Sequence, residues 1–141
     1  MMLESEPILL AEDDAVDAMT VKRALRDLKV ANPVAHVTNG EEALGYLQDV
    51  TQPKPCLILL DINMPKMNGI ELLQVLKAHV DLQRIPVIML TTSTNDRDIL
   101  QSFHLSAAGY MIKPVDYKQF VETIRTINEY WRLSRLPKVG V

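Results

Sequence analysis

The stretch CLILLDINMPKMNG, residues 56–69, opens with five apolar residues, preceded by Pro55 and closed by Asp61. Residues 56–60 show no apolar–polar alternation, so as a strand they are buried on both faces. Two more runs follow the same plan: PILLA at 7–11, followed by Glu12, and PVIML at 86–90, followed by Thr91. Val34–Val37 and Gly109–Ile112 are shorter strand candidates. Helical spacing fills the gaps. Ala18, Val21, Leu25 and Leu28 fall on one helix face, with Asp17, Lys22, Arg23, Arg26 and Asp27 on the other. Leu73, Leu76 and Val80 repeat the spacing, as do Phe120, Ile124 and Ile127, and residues 41–48 and 96–105 supply two more helices. Asn39 and Gly40 punctuate before one of these, and Thr94 is the expected N-cap of the other. Strands and helices alternate strictly. That order predicts an α/β fold: a doubly wound, five-stranded parallel sheet with five helices on its two faces and right-handed crossovers.

Composition bounds the rest. The 141 residues are 48% hydrophobic and 23% charged, the size and make-up of one domain. There is no internal repeat, and the loose stretches are 49–55 and the tail after Tyr130. A formal charge of -3 argues against a nucleic-acid or anionic-membrane binder. The single cysteine, Cys56, has no intrachain partner and fits a reducing, cytoplasmic setting. Residues 1–7 hold two Glu and no Lys or Arg, unlike a signal peptide, and no apolar run is long enough to span a membrane.

In such a sheet, ligands bind beyond the carboxyl ends of the strands. Those ends read Glu12-Asp13-Asp14, Asp61, Thr91 and Lys113-Pro114. Acids, a hydroxyl and an ammonium thus converge on one edge from four strands. Clustered carboxylates need a cation, and oxygen donors without His or Cys suit Mg²⁺ or another hard divalent ion. A divalent ion, a lysine and a hydroxyl around one aspartate make a site for phosphoryl oxygens, with the carboxylate as attacking group. Taken singly, an acid at a βα junction is as readily a helix N-cap, and Asp13 and Asp14 are open to that reading. The five glycines form no G-x-G and no G-K pair, which excludes a dinucleotide fingerprint and a P-loop. His36, His79 and His104 are isolated, so neither a zinc site nor a Ser-His-Asp triad has local support.

Four motifs in order, ILLAEDD at 8–14, LILLDINMPKMNG at 57–69, PVIMLTTS at 86–93 and GYMIKPVD at 109–116, make the chain resemble a CheY-like response-regulator receiver domain. The resemblance runs from about Ile8 to Ile127 and implies a flavodoxin-like fold. Asn32-Pro33, VTNGEEAL at 37–44, Thr91-Thr92-Ser93 and INEYWRLSRLP at 127–137 further resemble the stand-alone response regulators of cyanobacterial phytochromes. It implies that Asp61 accepts a phosphoryl group from a sensor histidine kinase, in this subgroup a bacterial phytochrome. Asp13 and Asp61 would ligate Mg²⁺ directly, Asn63 through its backbone carbonyl, and Glu12 through water. Thr91 would move to the phosphoryl group, Lys113 would contact it, and Tyr110 would swing inward as Thr91 moves. Thr92 would govern access to the site. The Lys113–Pro114 bond would be cis, aiming the lysine. Ser106-Ala107 replaces the family's frequent Gly-Ala, which would reshape the end of the fourth helix. Asp14 is a third acid, assigned first as a helix N-cap and second as a metal ligand.

The resemblance implies a single receiver domain over 1–141, with a core of about 7–130 and a short extension at 131–141. The resemblance also implies a signalling module rather than an enzyme, one able to catalyse its own phosphotransfer and dephosphorylation. Phosphorylation would remodel the face of helix 4, strand 5 and helix 5. Tyr110 could otherwise be a plain core aromatic. Trp131, with Tyr130, Leu133 and Leu136, would either pack back on the fold or join a homodimer interface, which the subgroup favours. About 14 residues follow Ile127, fewer than the DNA-binding domain many regulators carry. The competing reading is an aspartate-nucleophile phosphatase, which wants a second acid where Asn63 stands. A flavodoxin-like carrier is opposed by Glu12-Asp13-Asp14, which would repel a cofactor phosphate.

Overall fold

The structure is a computed structural model and describes residues 5–133. The elements run β1 (Ile8–Ala11), α1 (Ala15–Asp27), β2 (Val34–Val37), α2 (Gly40–Gln48), β3 (Leu57–Leu60), α3 (Gly69–Ala78), β4 (Val87–Thr91), α4 (Asp96–His104), β5 (Gly109–Ile112) and α5 (Tyr117–Leu133). A short 3₁₀ turn, Leu82–Arg84, precedes β4. The strands form one parallel sheet in the order β2-β1-β3-β4-β5. Ile8 pairs with Val34 on one side and Leu57 on the other, and Ala11 with Val37 and Leu60. The register therefore brings the ends of β1 and β3 level.

The unbroken apolar runs are explained by two cores. Ile8, Leu10, Leu57, Leu59, Ile88 and Leu90 face α1 and α5, meeting Val21, Leu25, Phe120, Ile124 and Ile127. Leu9, Ala11, Ile58, Leu60, Val87 and Met89 face the other way, onto Ala43, Leu47, Leu72, Leu73 and Leu76. Successive side chains point to opposite faces, and both faces are dry. Burying each large aliphatic side chain contributes about 1.5–3 kcal/mol.

Capping fixes where the helices begin and end. The Asp14 carboxylate accepts from the Val16 and Asp17 amides and caps α1. Asn39 caps α2, and Asn68 with Glu71 forms a reciprocal capping box on α3. The expected cap of α4, Thr94, is displaced by one residue: Asn95 holds the Arg97 amide at 2.8 Å. Val80 does not continue α3. His79 ends the helix, its Nδ1 accepts from the Asp81 and Leu82 amides, and Val80 is exposed. Ser106 stands just past the C-cap of α4, Leu105. It takes a left-handed φ of 64°, while its amide and that of Ala107 bond the Phe103 and Ser102 carbonyls. That is the Schellman arrangement, with serine where glycine is usual. Lys29 does the same for α1 at φ 58°.

Trp131 lies within α5 and is 5% exposed, packed in the core shared by α1 and α5. It packs back on the fold, while its neighbour Tyr130 is exposed and meets it edge-on at 4.9 Å. Leu136 and the rest of the tail from 134 lie outside the described residues.

Candidate functional site

All four strand ends meet at one edge. Asp61 follows β3, and its amide bonds the Ala11 carbonyl across the sheet at 3.0 Å. Its Oδ1 accepts from the Ile62 amide at 2.7 Å. The chain then turns back through Lys66, at a left-handed φ of 65°, to start α3 against the strand end. Gly69 makes this possible: a Cβ there would lie 2.2 Å from the Asp61 carbonyl oxygen. Only glycine lets the backbone come so close.

Glu12, Asp13 and Asp61 present carboxylate oxygens within 4.8 Å of one another. Glu12 and Asp61 are buried, whereas Asp13 is exposed. The Glu12 backbone is pinned on two sides, its amide to the Val37 carbonyl at 2.9 Å and its carbonyl to the His36 Nε2–H at 2.8 Å. Asp14 is taken up by its capping role and does not join the cluster.

Lys113 reaches the cluster from the end of β5. Peptide bonds among the described residues are all trans, Lys113–Pro114 included, against the expectation of a cis bond. An X–Pro bond prefers trans by about 0.5–1 kcal/mol. The Lys113 backbone is directed by its amide, which bonds the Thr91 carbonyl at 2.8 Å. Its ammonium donates to Glu12 Oε1, to Asp17 Oδ2 at 2.9 Å and to Asp61 Oδ2 at 3.2 Å. Asp17 escaped the sequence reading because it sits among the polar residues of α1. An acid at the fourth position after Asp13, one turn into the helix, was the available signal.

Three carboxylates thus contact one ammonium, and a fourth, Asp13, lies beside two of them. The imbalance is felt at Glu12. Burial pushes its carboxyl up to about 8; the Lys113 hydrogen bond opposes this and neighbouring Asp61 reinforces it. At Lys113 burial alone would lower the pKa, but bonds to Glu12 and Asp17 and the charges of Asp61 and Glu12 carry it upward. Hard oxygen donors with excess negative charge fit a divalent cation of the Mg²⁺ type. Asn63 is exposed in the loop, two residues after Asp61.

Thr91 is fully buried at the end of β4, and its Oγ1 accepts from the Ser93 amide at 3.2 Å. Tyr110 is partly buried on β5, packed against the α3 side of the sheet, and donates its hydroxyl to the Ser93 carbonyl at 2.9 Å. Burial pushes that hydroxyl's pKa up. Ser93 also donates to Asp98 of α4 at 2.7 Å, so Thr91, Tyr110 and α4 share one loop. Thr92 is exposed and lines a groove of about 470 Å³ with Val16, Asp17, Lys113, Pro114 and Val115. Among the described residues, no helix is long and apolar enough to cross a membrane.

Residues 8–125 match the family described as the response regulator receiver domain. The response regulator Rcp1 of Synechocystis sp. is 36% identical over 135 residues, covering 91% of this chain and 92% of that protein. Among solved structures, the phosphorylated cyanobacterial phytochrome response regulator RcpA superposes with a TM-score of 0.89 at 35% identity, covering 95% of this chain and 99% of that one. The Mn²⁺-bound form of Rcp1 superposes with a TM-score of 0.87 at 34% identity, covering 94% and 99%.

Proposed function

The chain belongs to the response-regulator receiver family, the phosphoacceptor modules of two-component signalling, and from that premise we propose the residues that carry its chemistry. Asp61 is the acceptor. One of its carboxylate oxygens attacks the phosphorus of a phosphohistidine on a sensor histidine kinase; the O–P bond forms as the N–P bond breaks, and the electron pair leaves with the imidazole. Lys113 binds a phosphoryl oxygen, and Thr91 hydrogen-bonds another. Asp13, Asp61 and the Asn63 carbonyl would hold Mg²⁺ directly and Glu12 through water, and when bound the ion would supply charge to offset the phosphoryl oxygens. The observation that carries this assignment is the placement of the buried Lys113 ammonium on Asp61 and Glu12, beside Asp13.

Phosphorylation adds roughly one further negative charge at Asp61. Thr91 is drawn toward it, the loop through Ser93 shifts, and Tyr110 turns inward. Thr92 controls how water and the donor reach the site. The face read by partners is α4–β5–α5, where Leu100, Phe103, Ile112 and Tyr130 are exposed apolar groups. A homodimer through this face, with the tail, is the output; the chain acts in the cytoplasm and the kinase is a bacterial phytochrome, a reading supported by the likeness to RcpA. Self-catalysed dephosphorylation belongs to the same site. The phosphatase alternative is not favoured, since Asn63 has no acidic group to protonate a leaving alcohol.

Acetyl phosphate with Mg²⁺ tests the assignment. One phosphoryl group per chain should appear in the intact mass and vanish in Asp61→Asn or after chelation. Label surviving in Asp61→Asn would overturn it. Sedimentation with beryllofluoride should show dimers, and an unchanged monomer would remove the proposed output.

A further inference from the structure

A lysine ammonium has three N–H donors and no more. In Lys113 all three are committed, to Glu12, Asp17 and Asp61. The three acceptors differ in what they lose on release. The Glu12 and Asp61 side chains are 2% and 8% exposed, whereas that of Asp17 is 36% exposed. A buried carboxylate stripped of its partner pays the full cost of desolvation, but a half-open one regains water. Asp17 lies on the groove that Lys113 also lines, so water is at hand. Its amide serves the α1 cap, and its carboxylate has no other hydrogen-bond partner among the described residues.

We propose that Asp17 is a positioning residue that competes with the phosphoryl group for Lys113 and so sets how tightly the phosphorylated state is held. This rests on the reading of Asp61 as acceptor. In the unmodified protein Asp17 draws the ammonium toward α1. A phosphoryl group on Asp61 brings new acceptor oxygens and more negative charge. Asp17 then both withholds a donor and repels the incoming anion. Its presence shortens the life of the acyl phosphate.

The test is beryllofluoride affinity at saturating Mg²⁺, read by fluorine NMR, in wild type, Asp17→Asn, Asp17→Ala and Asp17→Glu. Both uncharged variants should bind about five-fold tighter at low salt, the scale of a half-exposed ion pair. Asp17→Glu should stay near wild type, and the gain should shrink as salt screens it. A purely structural role would lower the melting temperature of both uncharged variants without this salt-dependent gain. Equal or weaker binding in both overturns the competition. Failure of wild type itself to bind would overturn the acceptor reading, and the proposal with it.

Discussion

At the scale of single residues, the site contrasts two kinds of buried ionisable group. Glu12, Lys113 and Asp61 are buried together and compensate one another. Cys56 is buried among apolar neighbours, and burial, then the charge of Glu6, pushes its thiol up to about 11 from an ordinary 9.0. The folded state therefore favours the neutral thiol. Its contribution is complete below the unfolded value and is lost as pH rises through the folded one. About 2–3 kcal/mol of stability should disappear between roughly pH 9 and 11 on this account. Denaturant titrations of wild type and Cys56→Ala across that range should diverge, the variant losing less; parallel curves would contradict it. The residue scale was also where the sequence was most and least readable. Asp61, Glu12 and Lys113 could be found because strand ends point at one edge whatever the details. For the Asp17 contact the one signal was an acid one turn into α1, too weak alone because a salt bridge from a helix face to a residue 96 positions away depends on packing.

At the scale of elements, the helices are well begun and awkwardly ended. Asp14, Asn39, Asn68 and Asn95 all hold amides at helix starts. Lys29 and Ser106 close α1 and α4 in left-handed geometry that a Cβ opposes. Lys29→Gly and Ser106→Gly should each stabilise the fold by about 0.5–1 kcal/mol in urea unfolding, since relief of strain exceeds the added chain entropy. Destabilisation by either would mean that its side chain makes a contact worth more than the strain. Strand and helix order was legible because a run buried on both faces needs no partner to be recognised. Boundaries were not: Thr94 and Asn95 are both good caps, and only the turn through Ser93 places Asn95 in reach of the Arg97 amide. Val80 fitted the helical spacing, but His79 diverts the chain before it.

At the scale of the whole molecule, α1 and α5 close one face of the sheet, and Trp131 extends that closure past Ile127. Removing it should cost about 3–5 kcal/mol in Trp131→Ala. Its Nε1 is buried without a hydrogen-bond partner among the described residues, so Trp131→Phe should cost far less than Trp131→Ala. Similar losses in the two variants would show that the indole nitrogen is satisfied after all. Spacing alone could not choose between core and interface for this residue, because α5 must be seen against α1 before its inner face is known.

The strand order also grades the sheet. β1 and β3 each have a strand on both sides and are wholly buried, while β5 is an edge, with Ile112 exposed, and α4 buries fully only Ser102. Opening β1 or β3 means dissolving both cores; opening α4 and β5 sacrifices much less. Amide exchange with solvent therefore separates the molecule into a slow centre and a fast rim. The charge arrives where local unfolding is most costly, so the acceptor stays in register, and it is read out where a small change in free energy is enough to move the backbone.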